Sequence, residues 1–246
     1  MDRTSKLMFK IKIADLVVEI DNKYGFVEKQ CEEYITKEER VDIKASCTDE
    51  EIQAERGLYE ENAFSNGYCE SVCIYRKICL QMPAFDAFIL HSAVVDVSGE
   101  AFAFAARSGT GKSTHLMLWK AYLDDKMTVI NGDKPIMRFI DGKLYAYGTP
   151  WCGKEGWQTN KKSPLKAICF LERALENRIS PLDKGKSADL IMKQVIIPKD
   201  AMGAIKTLEL LDKMILNTDT WLLGCNISID AAKLSYHTMS GVKYED

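Results

Sequence analysis

Residues 101–123 leave this chain few ways to fold. Residues 101–106, Ala-Phe-Ala-Phe-Ala-Ala, are an uncharged, aromatic-rich run that reads as a buried strand. Arg107 to Gly111 is a turn containing two glycines. Lys112-Ser113-Thr114 then opens a segment with apolar residues at Leu116, Trp119 and Leu123, the spacing of one helix face. Strand, glycine turn and helix in that order set the class as α/β.

The same order is the setting a phosphate-binding loop requires. Gly109 and Gly111 can take positive φ without a Cβ penalty. Successive backbone N–H groups of residues 109–114 can then face inward as an anion nest. The helix starting near Lys112 adds the positive end of its dipole. Ser108, Gly109, Thr110, Gly111, Lys112, Ser113 and Thr114 are therefore the expected nucleotide-binding residues. Lys112 would reach the β- and γ-phosphates, and the Ser113 hydroxyl would help coordinate Mg²⁺. Where the usual pattern carries its first glycine, this chain has Ala106.

Composition narrows the function classes. Of 246 residues 46% are hydrophobic, enough for a full core. A net charge of −3 and a pI near 5.8 argue against a nucleic-acid partner, which needs a basic stripe. No apolar run approaches membrane-spanning length, and the first residues do not read as a signal peptide. The expected compartment is the cytoplasm, with no membrane partner. The eight cysteines form no Cys-x-x-Cys pair, so reduced core thiols are expected rather than disulfides or zinc.

Residues 1–84 read as a β-rich region with a helix, and residues 85–246 as a nucleotide-binding domain. Residues 6–46 alternate as strands, Thr48 and Glu51 suggest a capping box, and residues 68–81 read as a helix. Residues 88–97 read as one long strand turned back by Ser98-Gly99, which makes a hairpin with the strand before the loop. Residues 127–131 and 165–171 are further strands, and Asp141-Gly142 joins a hairpin. Residues 187–196, 200–216 and 230–239 read as helices, with a last strand at 220–225. There is no internal repeat.

At this point the residues resemble a known group. His91-Ser-Ala-Val-Val-Asp-Val, a turn and short strand, then Ser108-Gly-Thr-Gly-Lys-Ser are similar to the nucleotide site shared by HPr kinase/phosphorylase and the phosphoenolpyruvate carboxykinases. His91 stands 21 residues before Lys112, about where HPr kinase carries its active-site histidine. Asn131-Gly-Asp-Lys-Pro, Tyr147-Gly-Thr-Pro-Trp and Leu165-Lys-Ala-Ile look like a bacterial branch of the same superfamily. The resemblance covers roughly residues 85–240. It implies a mixed central sheet flanked by helices, of the HPr kinase/phosphoenolpyruvate carboxykinase C-terminal type. It also implies a pair of acidic residues after the next strand. Here that place reads Asn131-Gly132-Asp133-Lys134, so one carboxylate is available. The carboxykinase reaction itself is not expected, because that family devotes a large N-terminal part to its organic-acid site.

The expected catalytic set is Asp133, His91, Lys112 and Arg173, with Ser113 and Asp133 as metal partners. Asp133 suits a base or a metal partner, or else a plain turn residue before Pro135. His91 could share a proton with Asp133 or be a satisfied core histidine. Arg173 could clamp a phosphate or pair with Glu172, Glu176 or Asp183. Lys134, Trp151 and Lys154 are candidate substrate contacts, the lysine at 134 alternatively a surface residue and the tryptophans at 151 and 157 alternatively packing. His115 and His237 are expected to carry no chemistry. The reading that follows is an ATP- (or GTP-) and Mg²⁺-dependent phosphotransferase acting on a hydroxyl of a protein, peptide or small molecule, the acceptor being unknown and a homo-oligomer allowed. Its alternative is a nucleotide-binding sensor or partner module with weak or no catalysis.

Overall fold

The structure, a computed structural model, describes residues 7–60, 63–107 and 109–243. The chain divides into two compact units, Met1–Phe85 and Asp86–Asp246.

In the first unit β1 (Leu7–Ile13) and β2 (Leu16–Asn22) form an antiparallel hairpin, turned at Ala14 and Asp15 with φ of 50° and 57°. Two positive-φ residues match the right-handed twist of the strands they join. β3 (Ile43–Ser46) lies parallel to β2. Between them stand α1 (Gly25–Gln30) and a 3-10 turn, Glu32–Tyr34, which a purely β reading of residues 6–46 lacks. Their buried residues Val27, Cys31 and Tyr34 follow helical spacing, i, i+4 and i+7, hidden in sequence by the charges around them. α2 (Asp49–Arg56) begins with the expected capping box: Glu51 N–H donates to Thr48 Oγ1 at 3.2 Å, and Thr48 N–H to Glu51 Oε2 at 2.8 Å. α3 (Asn66–Gln81) is capped by Ser65.

The second unit has the expected class: α/β, with a mixed sheet and helices. In chain order its elements are β4 (Ala87–Ile89), β5 (Ala93–Val97), β6 (Glu100–Ala105), α4 (Lys112–Leu123), β7 (Met127–Asn131), β8 (Ile136–Ile140), β9 (Lys143–Tyr147), β10 (Lys162–Arg173), β11 (Arg178–Pro181), α5 (Lys184–Ile191), α6 (Ala201–Asn217), β12 (Asp219–Cys225) and α7 (Ile229–Ser240). The strands run β4-β8-β9-β10-β6-β5-β7, with β12 on β10 and β11 on β12. β5 and β6 form the expected hairpin, turned at Ser98 and Gly99. β6 runs parallel to β10, and β10 parallel to β12.

Residues 88–97 are not one strand. β4 pairs with β8, and β5 with β6 and β7. At the gap the backbone donors leave the ladder: His91 N–H donates to Gln194 O at 2.7 Å and Ser92 N–H to Asp133 O at 3.1 Å. An apolar run keeps its hydrophobicity when it changes partners, so the pattern cannot show the break. β10 is longer than expected and serves three neighbours. Residues 162–164 pair antiparallel with β9, and the rest pairs parallel with β6 and β12. The helix expected at 187–196 starts earlier, at Lys184, because the Asp183 side chain accepts Lys186 N–H at 2.9 Å as its cap. It gives way to a 3-10 turn, Met192–Gln194. β11 is a short polar strand with no sequence signal.

Alternation along β6 separates two cores. Phe102 and Phe104 face Leu116, Trp119 and Leu123 of α4, while Ala101, Ala103 and Ala105 face Leu210, Leu211 and Met214 of α6. No described cysteine is in a disulfide, and all but Cys225 are buried. No helix among the described residues is long and apolar enough to cross a membrane.

Candidate functional site

The turn between β6 and α4 places Gly109 at φ 76° and Gly111 at φ 127°, the left-handed side of the map that glycine enters freely. A Cβ built on either would meet nothing within 4 Å, so the space over the turn is open. Thr110 N–H donates to Arg107 O at 3.1 Å, closing the turn, and α4 begins at Lys112. Ser108 lies outside the described residues. Thr114 is half-buried in the first turn of the helix.

The Lys112 side chain folds back over this turn. Its Nζ donates to Ala106 O at 3.3 Å and stands 3.5 Å from His91 Nε2. Burial lowers its pKa, and the charges of Asp133 and Glu155 oppose that. His91 Nε2 is in turn 3.0 Å from Asp133 Oδ1, and Lys134 Nζ is 3.5 Å from Asp133 Oδ2. Burial pushes the Asp133 carboxyl up, but the His91 hydrogen bond and the charges of Lys134, His91 and Lys112 outweigh it. The net result is a carboxyl held below its ordinary value, hence ionised at neutral pH.

Asp133 is positioned by the residue that begins its motif. Asn131 Oδ1 accepts the backbone N–H groups of Asp133 and Lys134 at 2.8 and 2.7 Å. Its Nδ2 donates to Thr149 O at 2.9 Å. Asn131 is fully buried, so this turn is rigid and ties two loops together. Gly132 between them is packed tightly: its N–H donates to Trp157 O at 2.8 Å, and a Cβ there would lie 2.9 Å from Cys152 O. The acidic residue missing from the pair has no room at this position.

A second carboxylate comes from elsewhere. Ser113 Oγ donates to Glu155 Oε1 at 2.8 Å. Glu155 sits in the loop after β9, between Gly153 and Gly156, whose φ values are 82° and 69°. Glu155 is not among the residues expected from the sequence, although Lys154 beside it is. The available signal was a carboxylate bracketed by glycines in a loop already marked for ligand contact.

The other expected residues divide. Arg173 lies at the end of β10 and pairs with none of Glu172, Glu176 or Asp183. Its Nη2 donates to Gly109 O at 2.5 Å and its Nε to Thr110 O at 3.3 Å. It therefore holds the outward-facing carbonyls of the glycine turn. Trp151 is 4% exposed, so its ring is packed. Lys154 is exposed, and Trp157 packs half-buried against the core on the α4 side. His115 is buried beside Ser235, and His237 accepts from or donates to Tyr122 Oη at 2.9 Å; neither joins the site.

Gly109, Gly111, Lys112, Ser113, His91, Asp133 and Glu155 thus converge at one end of the strands β5, β6 and β7. They offer backbone donors at a helix start, a half-buried ammonium, and oxygen ligands from a hydroxyl and two carboxylates. Among the described residues no cluster of three or more His, Cys, Asp or Glu side chains could hold a metal alone.

No curated protein matches this chain. Among solved structures it is similar to the Hpr(Ser) kinase/phosphatase from Coxiella burnetii, at 11% identity and a TM-score of 0.28, over 52% of this chain and 97% of that one. The family model described as SynChlorMet cassette protein ScmC matches residues 70–202, more than half of the sequence, and the chain belongs to that family.

Proposed function

We propose that this protein is an ATP- and Mg²⁺-dependent phosphotransferase that moves the γ-phosphoryl group to a hydroxyl. The observation carrying the reading is the line of contacts from the glycine turn through Lys112 and His91 to Asp133. The motif resemblance to HPr kinase supports it. The backbone N–H groups of the turn and the start of α4 would hold the triphosphate tail. Lys112 would stabilise charge on the transferring group.

The donor set fits Mg²⁺, which prefers oxygen and usually takes only one or two carboxylates beside phosphate oxygens and water. Ser113, Glu155 and Asp133 would hold it. When bound it would neutralise charge on the β- and γ-phosphates. Asp133, ionised and aligned by His91, would accept the acceptor's hydroxyl proton as its oxygen bonds to phosphorus and the bond to the β-phosphate oxygen breaks, leaving ADP.

A titration with Mg-ATP tests the loop, and labelled-ATP turnover with candidate acceptors tests the transfer. Asp133→Asn should keep binding while turnover falls by about 100-fold or more. Absence of Mg-ATP binding at millimolar ligand would remove the reading.

A second reading, a nucleotide-binding module without efficient transfer, is favoured by Gly132. Restoring the absent acid there does not discriminate between them. Gly132→Asp, and even Gly132→Ala, should destabilise the fold by about 1–3 kcal/mol through the clash with Cys152 O, measurable as a lower midpoint in urea. A wild-type midpoint in Gly132→Ala would show that the loop yields. Turnover absent with every acceptor while Mg-ATP binds would favour the module, and wild-type turnover that survives Asp133→Asn unchanged would remove Asp133 as the base.

A further inference from the structure

A hollow of about 660 Å³ lies between α4 and β7. Leu116, Met117 and Ala121 line it from the helix, Met127 and Val129 from the strand, and Trp157 joins them from the loop after β9. None of these belongs to the site described above. The lining carries one charge of each sign, Lys120 and Asp124. Met117 is 61% exposed, so the groove is open to solvent rather than closed by the fold.

The strand beside it has an unfinished edge. β7 is the last strand on its side of the sheet. Gly132 N–H donates to Trp157 O at 2.8 Å, Thr159 N–H to Ile130 O at 3.0 Å, and Asn131 bridges Gln158. There the outer ladder ends: among the described residues no strand pairs with Met127 or Thr128 on that side. An open strand edge is a template for another extended chain. Such a chain gains main-chain hydrogen bonds from the edge and specificity from alternate side chains set into pockets. Here the pocket is apolar and has no net charge, which suits uncharged apolar side chains. Met117 and Met127 adapt to varied shapes.

The groove also runs toward the site. Leu116 and Met117 stand one helical turn past Ser113. Trp157 follows Glu155 by two residues, and its carbonyl holds the N–H of Gly132, the neighbour of Asp133. From Lys120 back to Ser113 is about 10 Å of helix. About three extended residues span that length.

Resting on the phosphotransferase reading, we propose that the groove between α4 and β7 is a docking site for the acceptor, and that the acceptor is a polypeptide. It lays an uncharged, apolar, extended segment along β7, with the reacting hydroxyl about three or more residues away. Acceptor and nucleotide are then gripped by separate parts of the molecule.

Fluorescence anisotropy on the full chain tests this with a labelled peptide of alternating valine and leucine ending in a short glycine-serine tail. The control has asparagine in place of every valine and leucine. The apolar peptide should bind at least about tenfold more tightly than the control. Met117→Glu, at an exposed position, and Ala121→Trp, which fills the groove, should each weaken it about tenfold while Mg-ATP affinity stays at the wild-type value. If circular dichroism shows that Ala121→Trp does not fold, Met117→Glu decides. Transfer of label from ATP to the peptide's serine should show, in Met117→Glu, a raised KM with kcat unchanged. Equal binding of the two peptides, unaltered binding in Met117→Glu, or a lowered kcat with KM unchanged overturns the docking site. So does wild-type dimerisation in sedimentation that Met117→Glu abolishes, since a second copy then fills the groove. Apolar-peptide binding without any Mg-ATP binding leaves the groove standing and removes the phosphotransferase reading beneath it.

Discussion

The surroundings of His91 and His115 show how the same side chain is put to opposite uses. Both are lone histidines in apolar sequence. His91 is half-buried at the break between β4 and β5, with the Asp133 carboxylate 3.0 Å and the Lys112 ammonium 3.5 Å away. His115 is 2% exposed on the packed face of α4, with Ser235 Oγ at 3.1 Å and its Nδ1 without a partner. Burial pushes its pKa down to about 4, so it stays neutral in the fold. His91 sits where strand ends meet, and His115 sits where two helices and a strand pack. Neighbouring charge, rather than the residue or its local pattern, decides which of the two can do chemistry.

The contrast breaks most visibly in activity. His91→Asn should lower phosphoryl transfer by about 100-fold or more while Mg-ATP affinity stays near wild type. Unchanged turnover would return His91 to the status of an ordinary core histidine.

A smaller effect is expected from pH at His115. Its folded pKa of about 4 lies below the unfolded value of about 6.5, so between these the unfolded chain binds more protons. Its contribution to stability is complete above pH 6.5 and falls away as pH drops toward 4, by about 3 kcal/mol. Urea unfolding of the wild type and His115→Gln at pH 7.5 and 4.5 measures it, the variant showing the flatter dependence. Equal slopes would mean that His115 titrates normally. The smallest effect is the stability of His91→Asn, which should change by less than about 1 kcal/mol because the pair with Asp133 is partly solvated.

Much of the fold near the site was legible because short-range rules govern it. The alternation of residues 101–106, the glycine turn and the Leu116, Trp119, Leu123 stripe correspond to β6 and α4 with their expected faces. Asp141-Gly142 gives the β8–β9 hairpin with φ of 49° and 81°. What stayed hidden depends on long-range pairing. Residues 88–97 look continuous because each half is buried by different partners. Glu155 acquires meaning only when its loop is carried back to Ser113, 42 positions away in sequence. In sequence Arg173 suits a phosphate or an ion pair, and its contacts with the Gly109 and Thr110 carbonyls need the β6–β10 register to foresee. The absent carboxylate at Gly132 was visible, but the backbone crowding that excludes it was not.

β10 carries a consequence for how this chain can vary. Its pairing with β6 slips by one residue between Leu165 and Ala167, just after it leaves β9. Deleting a single residue beyond that slip, at Ile168 or Cys169, would turn every later side chain of the strand to the opposite face. Phe170 would trade places with its neighbours across the sheet, and Arg173 would swing away from the carbonyls it grips. Insertions belong in the loops at either end of that strand, and its length is the part of the molecule least free to drift.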